Sequence, residues 1–414
     1  MNKKFVLTLL ILLITFTLIN AQDKTWGFTL SGYVKSDIFY DSRQVVSARE
    51  GHFLYFPLGE ALDKNGTDIN AKGSFDILSI QTRLNGKLTG PDAFGAKSSA
   101  MIEGEFFGTS DADVNGFRLR HATVNLDWKT TSLMVGQFWH PMFVTDVFPG
   151  TVSFNTGAPF QPFTRNPQIR WTQGLDDKNT IRLMLTAYSE RDFQSMGPSG
   201  AGSVYLRNAI LPGLDLQLQY KGESIVYGIA GDFKMLKPRL ITTKEISTDE
   251  TVKSFAGEGY LKFISKEFTL KLEGAYVQNG ADMSMLGGYA LKTLDTITGA
   301  ETYSPISVLS VWGDISYGKD IEFGIFGGYT KNLGASDNLY SNLAAFYYSR
   351  GYNIDAVYRV SPRIIFNSGK ARISAELETT GAAYGTVNKD NKGKVENTKS
   401  FVNVRGLLAF YYFF

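Results

Sequence analysis

The sequence is poor in the residues that most catalytic and disulfide chemistry needs. Its 414 residues include no cysteine, three histidines and 12 prolines. Zero cysteine excludes a disulfide scaffold, a thiolate metal site, a cysteine nucleophile and a lipid-modified cysteine anchor. No HExxH, Walker A or GxSxG motif occurs, so the chain reads as a non-enzyme that calls for no cofactor. Net charge is nearly absent, with 42 basic residues against 40 acidic ones, which gives no electrostatic case for nucleic acid as a partner. Long apolar runs are missing beyond the first twenty positions, so helical membrane spans are excluded there. Disorder is excluded as well, because 14% of the residues are aromatic.

The N-terminus carries a targeting pattern. Lys3 and Lys4 precede an apolar run from Phe5 to Ile19, and Ala21 offers a small residue for cleavage. Residues 1–21 are therefore expected to be a signal peptide, leaving 22–414 as one exported domain.

Beyond the leader, the dominant period is two. Phe268, Leu270, Leu272, Gly274 and Tyr276 alternate with Thr269, Lys271, Glu273 and Ala275, and Ile321–Tyr329 repeats the pattern. A strand points successive side chains to opposite faces, so each segment has an apolar and a polar face. These segments run to about 10–16 residues, longer than strands of soluble proteins and suited to a tilted crossing of a bilayer. Short turns such as Lys129-Thr130 and Gly318-Lys319 alternate with long connections such as 41–73 and 140–166. The count predicts a 16-stranded antiparallel transmembrane β-barrel, with short periplasmic turns and long extracellular loops. In the last strand Val402, Val404, Gly406, Leu408, Phe410, Tyr412 and Phe414 occupy every second position. Phe410, Tyr412 and Phe414 resemble the terminal signal read by the barrel-assembly machinery of bacterial outer membranes.

A sixteen-stranded barrel is wide enough for water, so function depends on what narrows it. The third long connection, 140–166, holds Phe143, Phe148, Phe154, Phe160 and Phe163 with few charges. It is poorly suited to water and is expected to fold inward as a constriction. Around it, Phe117-Arg118-Leu119-Arg120-His121-Ala122 and Leu133-Met134-Val135-Gly136-Gln137-Phe138-Trp139 resemble the trimeric porins, especially the DcaP-like family. The opening Gly32-Tyr33-Val34-Lys35 with Asp37 looks like that family's first strand. The resemblance implies a passive outer-membrane channel, a homotrimer in the bilayer among lipopolysaccharide, passing small hydrophilic solutes and favouring anions such as dicarboxylates. It also implies that Arg118 and Arg120 face the lumen. Alternation alone leaves this open, because Ala122, Val124, Leu126 and Trp128 share their face.

The candidate pore residues are Arg118, Arg120, Arg165, Arg170, Arg83, Arg182 and Lys35 on the basic side, with Asp37, Glu103, Glu105, Asp146 and His140. Further acids expected to point inward are Asp215, Glu258, Glu273, Asp314, Glu322, Asp355, Glu376 and Glu378. Acids facing bases across a lumen give a transverse field and weak selectivity. Asp111, Asp113 and Asn115 match half of a calcium loop, but the position of the bidentate acid is Ala122. A second functional class is an outer-membrane binding, adhesion or receptor barrel whose lumen is blocked.

Overall fold

The computed structural model describes residues 26–414, so the expected signal peptide lies outside the described residues. Sixteen antiparallel strands close into a barrel, from Gly27–Asp41 to Lys394–Phe413. Closure runs from Tyr33 opposite Phe413 to Asp41 opposite Arg405. It leaves no open sheet edge, which a wall in hydrocarbon requires because lipid offers no hydrogen-bond partners. The second wall strand is split into Ser74–Leu78 and Arg83–Thr89, both paired with the first strand. Two further strands, Gly287–Leu294 and Tyr347–Arg350, pair with each other beyond the barrel wall, where they extend the loop end.

Alternation sorts the side chains as the sequence implies. In the last strand Val402, Val404, Leu408, Phe410, Tyr412 and Phe414 are outside, while Asn403, Arg405, Leu407 and Ala409 are buried inside. Arg359, Ser361 and Arg363 face inward from Ile354–Ser368, with Tyr358, Val360 and Pro362 outside. The ladder breaks this rule at two informative places. At Asp355 a register shift between Ile354 and Ala356 removes the acid from the inward set. It instead pairs with Lys331 at 2.6 Å on the outer face, which corrects its expected placement.

The second break is at Arg120. Glu103 stands opposite His121 and Gly104 opposite Leu119, so Arg120 is one residue too many in its strand. A bulge of this kind shifts the alternation by one. Arg118 and Arg120 therefore point inward on one side of it, while Ala122, Val124 and Leu126 point outward on the other. The apparent conflict in the sequence is the signature of the bulge.

Two loops enter the barrel from the loop end. The third loop, 140–164, is mostly buried, with Thr145 and Phe148 exposed. The first loop carries a hairpin, Val45–Ala48 paired with Phe53–Pro57, whose Phe53, Leu54, Tyr55 and Phe56 are at most 3% exposed. Phe53 lies 5.2 Å from Phe163, 5.9 Å from Phe154 and 5.6 Å from Phe193, ring centre to ring centre. These rings, with Met283, Met285 and Leu286, build an apolar core across the inside of the barrel.

Candidate functional site

The third loop is held across the lumen by the far wall. Gly150 N donates to Asp314 at 2.7 Å, Ser153 N to Glu376 at 3.2 Å and Asn155 to Glu378 at 2.9 Å. Val152 N also donates to Glu376. In return Arg359 donates to Ala158 O at 2.8 Å, Ser310 to Phe160 O at 2.7 Å and Lys271 to Phe148 O at 2.8 Å. All but the Asn155 contact, which joins two side chains, satisfy backbone groups of the loop. Beneath the loop lies a cavity of about 530 Å³, bounded by Phe143, Pro149 and Val152 above and by Arg83, Glu103 and Arg120 at the wall.

The predicted arginines converge on two glutamates. Glu105 is fully buried; it accepts from Arg118 at 2.7 Å, Arg120 at 2.7 Å and Arg83 at 3.0 Å, with Arg165 3.7 Å away. Arg120 also reaches Glu103 at 2.7 Å. Asp192, from the loop 189–212, joins Arg118 at 2.8 Å and Arg165 at 2.5 Å. Arg49 completes the group, lying over the rings of Phe107 and Phe193. Five guanidinium groups thus face three carboxylates, an excess of two positive charges on one side of the lumen.

The sequence motif around Gly136 and Gln137 explains how the bulge is held. Gln137 Nε2 donates to Arg120 O at 2.9 Å and Leu119 O at 3.2 Å, the carbonyls that the bulge displaces from the ladder. Gly136, opposite Thr123, has φ of 139°, and a Cβ there would lie 2.0 Å from Ala122 O. Only glycine lets the two strands meet at this point. Gln137→Ala leaves both carbonyls without this donor and should cost about 1–3 kcal/mol. The denaturant midpoint of folded protein in detergent is the measurement, and Gln137→Glu should fail to rescue it.

Asp192 gives the cluster a pH signature. Burial raises its carboxyl, but Arg165 and then Arg118 outweigh this and hold it below its ordinary value. A depressed carboxyl stabilises the fold above its unfolded value of about 3.9 and loses that contribution as pH falls through the folded one. The stability gap between wild type and Asp192→Asn should therefore be full at neutral pH and close on acidification below about 4.

The other predicted residues form separate groups. Lys35 and Asp37 pair at 3.0 Å, and His52 donates to Asp37 at 2.7 Å. Burial lowers His52 below its ordinary value despite that carboxylate. Lys35 also donates to Gln81 and, at 3.1 Å, to Val152 O, so it is a loop anchor. Arg170 donates to Trp139 O at 3.0 Å and Arg182 to Asn179 O at 2.8 Å. Both line a second chamber of about 200 Å³ with Asp146, which pairs with Lys221 at 2.7 Å. His140 is fully buried against Tyr188, and burial holds it well below its ordinary value. Asp111 and Asp113 form an exposed single turn in which Asp111 accepts from Glu50 N at 3.1 Å. Among the described residues no three acidic or histidine side chains gather to hold a metal.

Several lumen residues escaped the sequence reading. Arg359 pairs with Glu378 at 2.9 Å, Arg363 with Asp314 at 2.8 Å and Arg405 with Asp41 at 2.6 Å. Strand parity was a sufficient signal for all three arginines. Nothing local marks Arg49 or Asp192, which come from loops.

No protein-family model matches the sequence, and no curated protein matches it. Solved structures do. The outer membrane channel DcaP of Acinetobacter baumannii superposes with a TM-score of 0.68 at 16% identity, covering 95% of this chain and 99% of that one. The chain has the porin fold. An anion-selective porin from Comamonas acidovorans gives 0.55 at 10% identity, covering 94% of this chain and all of the other. The trimer form of OmpT of Vibrio cholerae gives 0.55 at 9% identity, again over 94% and 100%. In this porin fold the arginine cluster and the inserted third loop lie together, so the basic wall and the narrowing form one site.

Proposed function

We propose that the protein is an outer-membrane porin, a passive channel for small hydrophilic solutes with a weak preference for anions such as dicarboxylates. The observation that carries this is the surplus of two positive charges where the third loop narrows the barrel. Low-dielectric walls focus such a field on a passing solute. The acids interleaved with the arginines keep the preference weak. The porin works as a homotrimer in the outer membrane, embedded among bilayer lipid and lipopolysaccharide. The barrel-assembly machinery inserts it through Phe410, Tyr412 and Phe414. A porin named as anion-selective shares the fold, which supports the same reading here.

Single-channel recording with reversal potentials tests it. Arg118→Gln, Arg120→Gln and Arg165→Gln together should lower the anion/cation permeability ratio, and an unchanged ratio sinks the assignment. The hairpin containing Phe53–Phe56 favours a second reading, a binding or receptor barrel with a blocked lumen. Reconstituted protein that gives no stepwise current would support that reading over the first.

A further inference from the structure

The wall from Gly213–Lys221 to Phe268–Gln278 carries acids that the proposed conduction path leaves unused. Asp215, Asp232, Glu258 and Glu273 stand on four successive strands, face inward and are at most 5% exposed. Asp215 is directly opposite Asp232; Glu258 is opposite Ala230 and Ala275, and Glu273 is opposite Tyr260. The acids therefore step diagonally from the loop end toward the turn end.

Buried carboxylates are heavily penalised unless cations or donors meet them. Among the described residues, none donates to either oxygen of Asp215 or Glu258. Tyr188 donates to Oδ1 of Asp232 at 3.0 Å and leaves Oδ2 free, and the indole of Trp312, opposite Glu273, is the one donor beside that carboxyl. Two hydroxyls beside the file, Thr186 opposite Asp215 and Ser254, are buried and equally unpartnered. Of the neighbouring bases, His140 lies 3.7 Å from Asp232 but burial holds it neutral, well below its ordinary value, and the others are engaged elsewhere. Lys234 binds Asp282 and, at 2.9 Å, Asn279 O; Lys271 binds Phe148 O; Arg170 binds Trp139 O.

We propose that this file binds linear aliphatic polyamines as polyammonium cations. A single metal ion needs its oxygens converged within about 2.6 Å of one point. The acids of a ladder are spread instead, about 5 Å apart when opposed and about 7–8 Å apart on the diagonal. Ammonium groups strung on short methylene spacers match that spread, each taking carboxylate oxygens as acceptors. Val226, Ala230, Ala275 and Val277 supply an apolar bed for the methylenes, and the Tyr260 ring a face for a cation. The chamber lined by Asp146, Met184, Gln217 and Gln219 adjoins the file, since Gln217 follows Asp215 on the same inward face and both glutamines donate to the Tyr260 hydroxyl.

The proposal does not rest on conduction, so its test does not use current. Full-length protein in detergent is titrated calorimetrically with spermidine and, in parallel, with propylamine. Saturable spermidine binding is expected, weakened about tenfold or more in Glu258→Gln/Glu273→Gln and in Asp215→Asn/Asp232→Asn. Asp320→Asn, on an exposed turn, should bind as wild type. No saturable heat with wild type, equal affinity for propylamine, or unchanged affinity in a folded double variant overturns the proposal. The two amines on wild type decide the matter even where a variant fails to fold.

Discussion

Excising residues 45–57 should raise single-channel conductance several-fold while leaving the barrel folded. The hairpin places Phe53, Leu54, Tyr55 and Phe56 inside the barrel, against Phe154 and Phe163 of the third loop. It is pinned there by polar contacts as well, with Arg359 donating to Tyr55 O at 3.0 Å and Asn155 to Leu54 O at 3.3 Å. The deletion is geometrically mild, because Leu58 N already donates to Gln44 O at 2.9 Å. Two glycines can therefore join the cut ends without moving the wall. The loss of buried rings costs stability, about 1.5–3 kcal/mol for each large side chain. The wall itself does not depend on them, since the hairpin forms a two-stranded sheet separate from the barrel ladder. Planar-bilayer recordings of the excised and intact proteins decide the matter. Equal conductance would place the permeation path elsewhere, and zero current in both would favour the binding-barrel reading.

The wall was legible in the sequence because its physics is local. A period of two, sustained over segments such as Phe268–Gln278, reports a strand between lipid and water whatever its neighbours are. Strand number and closure followed from that pattern and from the alternation of turns and loops. The inward bend of the third loop was also readable, because a stretch so rich in phenylalanine has no stable place in water. The lumen was harder to read. Arg120 sits at a bulge, and no run of apolar residues announces where a ladder slips by one. Asp355 was misplaced for the same reason. The hairpin at 53–57 read as one more long connection, because its destination is set by Arg359 and Asn155, distant in the chain. Arg405 was as legible as Arg359 and Arg363, since the outward set Val402, Val404 and Gly406 puts it on the inner face.

Glu105→Gln should be the most damaging single substitution in the pore. The native carboxylate is fully buried and lies within 3.7 Å of four guanidinium groups, from Arg83, Arg118, Arg120 and Arg165. Neutralising it keeps the shape and removes the charge that lets four cations share one site. Breaking a buried charge network from one side costs about 3–5 kcal/mol, because the remaining charges stay desolvated and unpaired. The denaturant midpoint should fall accordingly. Loss of one carboxylate also raises the surplus positive charge at the narrowing from two to three. Any protein that still inserts should therefore show a higher anion/cation permeability ratio than wild type. Coupling provides the decisive control. Adding Arg120→Gln to Glu105→Gln removes one of the stranded cations, so the double variant should be more stable than Glu105→Gln alone. If the second substitution instead adds its own full cost, Glu105 is not the hub of the arginine cluster, and the basic wall is held by Glu103 and Asp192.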